Sequence, residues 1–128
     1  MNIEKNSNST IHSETLLNLE PSALLQWLNE NYLEDVPPAI STVDDLKNAG
    51  ILLGRLTNTY SYLVSLSLYA KLKVREVKRN KEEKEIIDNA IDRKEIINSF
   101  TDIIKCQYNA VSRMVTVKKQ VDEEMKMI

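Results

Sequence analysis

The stretch LKNAGILLGRLTNTYSYLVSLSLYAKLKVREV, residues 46–77, decides how this chain folds. Its apolar positions recur at alternating intervals of three and four: Leu46, Ala49, Leu53, Leu56, Tyr60, Leu63, Ser67, Ala70, Val74 and Val77. Nine of these ten are apolar or aromatic, so the spacing lays a coiled-coil-like seam along one side of a helix. Just upstream, Ser41-Thr42 before Asp44-Asp45 reads as an N-terminal cap: a hydroxyl for the free amides, and acids for the positive helix end. A helix over 42–79 follows. Gly50 and Gly54 fall inside it, four apart, and predict a close approach of a second helix, against a propensity cost of about 1 kcal/mol each.

The seam breaks at Arg79-Asn80. Asn80, with Glu83 three residues on, predicts a new start and a helix over 81–127 that carries Ile86, Ala90, Ile97, Phe100, Ile104, Tyr108, Val111, Val115 and Val121. If the chain folds back about Asn80, residue i faces residue 160 − i. That reflection puts Leu56 on Ile104, Tyr60 on Phe100, Ser67 on Arg93 and Ala70 on Ala90, and seven of the ten seam pairs are apolar on both sides. The pattern predicts a hairpin rather than one continuous rod.

Ahead of the hairpin, Pro21 suits a first helical position, and Ala23, Leu24, Trp27, Leu28 and Tyr32 keep helical spacing. A helix over 21–34 is expected, closed before Pro37-Pro38, with Trp27 pinning it to the hairpin. Residues 1–18 read as a flexible polar tail. The expected architecture is all-α: residues 19–128 as one domain, a short helix followed by a long antiparallel helical hairpin.

Composition removes most chemistry. The chain has 128 residues with 42% hydrophobic and 28% charged, enough for one core. Two glycines exclude a Gly-rich phosphate loop, and one cysteine and one histidine exclude a disulfide framework and leave no Cys/His zinc set. Cys106 sits in an apolar stretch as a packed thiol, and His12 lies in the polar tail. No enzyme activity, metal or cofactor is expected. With no apolar leader in the first residues and no run of about 20 apolar residues, neither secretion nor a membrane is indicated, and a cytoplasmic location is the expectation.

Charge is distributed unevenly. Residues 1–70 carry three basic and eight acidic side chains, net −5; residues 71–128 carry fourteen and eleven, net +3. Lys71, Arg75 and Lys78 share a helix face, with Lys73 and Arg79 nearby and Arg93, Lys94 and Arg113 on the returning helix. Such a cluster can grip phosphates, with Tyr69 to stack on a base. The competing reading is a solvated face whose cations pair with Glu76, Glu82, Glu83 and Glu85. Glu85, Asp88, Asp92 and Glu95 share a face too, but the reflection gives them no facing acids, so a two-cation site is not expected. A second apolar stripe, with Leu52, Tyr62 and Leu66 on one helix and Ile87, Ile91 and Ile103 on the other, exceeds what a short helix can cover. It predicts a homo-oligomer interface.

From Tyr60 onward, YSYLVSLSLYAKLKVREVKRNKEEKEIIDNAIDRKEIINSF and KCQYNAVSRMVTVKKQVDEEM resemble small helical proteins of phage and prophage replication–recombination clusters, similar to the UvsY-type recombination mediators. The resemblance covers roughly the last 70 residues and rests on helical pattern and charge rhythm. It implies a homo-oligomer that binds single-stranded DNA and helps load a recombinase. The alternative is a helical adaptor or inhibitor that docks on a host or phage enzyme.

Overall fold

The computed structural model describes residues 9–127, with side chains from Ser13 onward. Four helices follow in order: α1 (Ser9–Leu16), α2 (Pro21–Tyr32), α3 (Val43–Arg79) and α4 (Lys84–Lys126). No strand occurs among the described residues. Helices α3 and α4, 37 and 43 residues long, pack against each other as an antiparallel hairpin, and α2 lies against α4. The fold is all-α, and the rod alternative is excluded.

Helix α3 starts where its cap dictates. The Asp45 amide donates to Thr42 Oγ1 at 3.0 Å, and the Asp45 carboxylate accepts in return from the Thr42 amide at 3.1 Å, a reciprocal capping box. The Ser41 amide donates to the same carboxylate oxygen at 3.0 Å. At the other end Asn80 is the C-cap, the Lys81 amide donates to the Val77-to-Asn80 turn at the Lys78 carbonyl, and the Glu82 amide reaches back to the Val77 carbonyl. This is a Schellman closure. Its left-handed residue is Lys81, at φ 52°, where glycine is the usual choice. The second long helix therefore starts at Lys84, after Glu83, and not at 81.

That later start moves the pairing. Ser67 donates its hydroxyl to the Asn98 side-chain carbonyl, five positions beyond the Arg93 expected from a fold about Asn80. Near the tip, Val74, Val77 and Ala90 form a small buried cluster with Ile87 and Ile91. The buried stripe of α3 also rotates relative to the periodic one. Leu52, Thr59 and Leu66 are buried where Leu53 and Ser67 are half-buried and Tyr60 is exposed. The cause is a second layer on that side. Leu16, Leu17, Leu19, Leu24, Trp27, Leu28 and Tyr32 join the main core, with Trp27 edge-on to Tyr32 at 5.4 Å and Tyr32 beside Tyr62 at 5.7 Å.

Three expectations are thereby corrected. Residues 9–18 are not free tail: they hold α1, and Leu16 and Leu17 are core residues; the tail's first eight residues lie outside the described ones. Leu52 and Leu66, predicted to face another copy, are buried at 5% and 0% exposure by the chain's own N-terminal layer, and Tyr62 is half-buried beneath it. Ile87 and Ile91 are half-buried at the tip, which leaves Ile103, at 46%, as the exposed member of that set. Finally, a Cβ built on Gly50 or Gly54 meets nothing within 4 Å, so neither glycine serves a close helix approach.

Candidate nucleic-acid interface

The N-terminal layer covers only one face of the hairpin. Arg55 pairs with Glu34 at 2.8 Å, Gln107 donates to the Glu34 carbonyl at 2.8 Å, and Arg93 donates to the Leu19 carbonyl. These contacts bring the segment from α1 through the α2–α3 connection onto one side of both long helices. The opposite face is open. Its register follows from the Ser67–Asn98 bond, since one turn along each helix keeps residues on the same face. Toward the tip comes Lys71 opposite Lys94. Away from it come Val64 opposite Thr101, Tyr60 opposite Lys105 and Thr57 opposite Tyr108. The last two pairs meet in fact, because Thr57, Tyr60, Lys105, Tyr108 and Asn109 line one notch of about 310 Å³.

The two facing rows are Thr57, Tyr60, Val64, Ser67, Lys71, Arg75 and Lys78 on α3, and Lys94, Asn98, Thr101, Lys105, Tyr108 and Ser112 on α4. Neither contains an acid. Of the nearby acids, Asp92 and Glu95 line a hollow against α2 and Glu76 lines a cleft against α1, while Asp102 stands exposed at the outer edge of the α4 row, three positions before Lys105. Among the described residues, none of Lys71, Arg75, Lys78, Lys94 and Lys105 makes an ion pair; of the tip cations only Lys73 does, with Glu76 at 3.9 Å. An open face with five uncompensated cations, about 30 Å long at 1.5 Å per residue, concentrates anions over its whole length.

The predicted site residues divide accordingly. Lys71, Arg75, Lys78 and Lys94 converge on the open face, with Lys94 half-buried by its place beside the seam. Tyr69 and Lys73 do not join them. They line the cleft of about 410 Å³ between α1 and α3, with Glu14 and Glu76, on the other flank of the seam. Arg79, four positions after Arg75, continues the α3 row at its exposed edge, whereas Arg113 is exposed but points outward, about 100° of helical turn from its neighbour Ser112 in the α4 row. Arg93 is on the covered side; its guanidinium is held by the Leu19 carbonyl, and burial pushes its pKa down against the opposing pull of Glu20. Its role is to tie the N-terminal layer down. Tyr60, Tyr108 and Lys105 were missed as site residues. The signal was present in Tyr60 and Lys105 sharing one level, but only the correct register reveals it.

Among the described residues, no three His, Cys, Asp or Glu side chains gather as a metal ion would need, and no helix is long and apolar enough to cross a membrane. No family model, curated protein or solved structure matches the chain.

Proposed function

We propose that this chain is a non-enzymatic, self-associating helical protein that binds single-stranded nucleic acid on the open face of its hairpin, as an accessory in recombination or replication. One observation carries the reading: two facing helical rows hold Lys71, Arg75, Lys78, Lys94 and Lys105 with no acid among them, in a chain whose formal net charge is −2. A chain with a negative total that gathers five cations along two acid-free rows favours a polyanion there. Tyrosines on the same face favour a strand with unpaired bases over a duplex.

The test is fluorescence anisotropy of labelled single-stranded and duplex oligonucleotides at two salt concentrations. Binding to the single strand should weaken with salt. Lys71→Gln, Arg75→Gln and Lys78→Gln together should flatten the slope of log affinity against log salt by about two, at about 0.7 per phosphate contact. Lys47→Gln, Lys73→Gln and Arg113→Gln remove the same charge off the face and should change it far less. Equal effects from the two triple variants would reduce the reading to general charge attraction.

Self-association draws on a different surface from the stripe first expected. Val117, Val121 and Met125, exposed at four-residue spacing near the end of α4, form an apolar row suited to a second copy. The same row supports the second reading, an adaptor that docks on another protein. Light scattering separates the two: Val121→Glu should lower the solution mass if the row joins copies, and an unchanged mass assigns it elsewhere.

A further inference from the structure

The notch on the open face has a composition that general charge attraction does not require. Tyr60 and Tyr108 enter it from opposite helices, each 37% exposed, with Lys105 on the same wall as Tyr108 and the amide of Asn109 one residue on. Among the described residues neither ring touches another ring, whereas Trp27, Tyr32 and Tyr62 are consumed by one another in the core. The Thr57 hydroxyl donates to the Leu53 carbonyl at 2.8 Å, which turns its lone pairs outward as acceptors. Two unengaged aromatic faces, a cation without an ion-pair partner, an amide and an acceptor hydroxyl thus meet in about 310 Å³. That is room for one flat heterocycle rather than for a folded segment.

We propose that this notch seats a nucleobase of the bound strand. The base stacks on Tyr60 and Tyr108, its edge meets the Asn109 amide and the Thr57 hydroxyl oxygen, and the adjoining phosphate pairs with Lys105. The inference rests on the single-strand reading above and adds to it a base-dependent component. Lys71, Arg75, Lys78 and Lys94 hold the backbone toward the tip; the notch holds a base, whatever its identity, because every base offers a π face.

Anisotropy with the full chain tests it, using a labelled oligothymidine strand and an abasic sugar–phosphate strand of the same length and charge. The protein should bind the base-bearing strand about tenfold more tightly, the scale of one stacked base. Tyr60→Ala with Tyr108→Ala should erase that preference while abasic binding and its salt dependence persist. Tyr60→Phe with Tyr108→Phe should keep it, since stacking needs the ring and not the hydroxyl. Equal affinity of the unaltered protein for the two strands, with salt-dependent binding intact, overturns the base seat and leaves the single-strand reading standing. Failure to bind either strand removes both. The strand comparison needs no variant, so a misfolded substitution cannot rescue the proposal.

Discussion

Ser67 and Asn98 are joined by a side-chain hydrogen bond across the hairpin, and this one contact sets the register of both long helices. A fold about Asn80 would instead face Ser67 with Arg93. The difference is testable by disulfide formation, because bridged cysteines need Cβ atoms about 3.5–4.5 Å apart. In a Cys106→Ser background, Ser67→Cys with Asn98→Cys should oxidise readily to a monomeric cross-link, while Ser67→Cys with Arg93→Cys should not. Mobility on a non-reducing gel separates them. A cross-link only in the second pair would restore the fold about Asn80 and dissolve the open-face rows.

Gly50 and Gly54 sit in the interior of α3 with open space around an added Cβ. Each imposes the entropy cost of glycine on a helix without a compensating contact. Gly50→Ala and Gly54→Ala should each stabilise the fold by about 0.5–1 kcal/mol, additively, as read from denaturant midpoints. Destabilisation at either site would reveal a close neighbour, most simply a second copy of the chain.

The start of α3 should respond to acid. Asp45 accepts from the Ser41 and Thr42 amides, with the Thr42 hydroxyl contact and the Lys118 charge adding to the effect, and its pKa is pulled below the usual aspartate value. A depressed folded pKa means that the stabilisation is fully present above the unfolded value, about 3.9, and is lost as pH falls through the folded one. The Ser41 and Thr42 amide signals should therefore titrate together with a midpoint below 3.9, and Asp45→Asn should abolish the transition. A midpoint at or above the ordinary value would mean that the capping box is not held in solution.

Leu66 distinguishes a covered stripe from an interface. It is fully buried in the core that the hairpin shares with the N-terminal layer. Leu66→Ala should cost about 2–5 kcal/mol at any protein concentration. A loss that appears only upon dilution would instead place Leu66 between copies.

Much of the fold was legible along the chain because it is local. The three-and-four spacing from Leu46 to Val77 makes a helix, Thr42 and Asp45 start it, and the matching pattern beyond Asn80 makes the hairpin. The α1 segment was not legible: STIHSETL is mostly polar, and among the residues whose side chains are described Ser13, Leu16 and the following Leu17 are the buried ones. The candidate site was half legible. Lys71, Arg75 and Lys78 share a face by spacing alone, but nothing local to Tyr69 or Arg93 tells which flank the N-terminal helices cover, and both fall on the covered one.

The sequence by itself determined the helices, their caps and the hairpin, since each depends on neighbours within a few turns. The tertiary structure alone decided the register and the choice of open face. Both depend on contacts between distant residues: a Schellman turn with Lys81 left-handed delays α4, and Trp27, Tyr32 and Leu16 bury one flank of α3. Periodicity marks the apolar side of a helix, but a shift of one turn along its partner leaves that side equally apolar. The energy that selects among such registers comes from the tip and the covering layer, so Tyr60, Lys105 and Tyr108 meet only when those are in place.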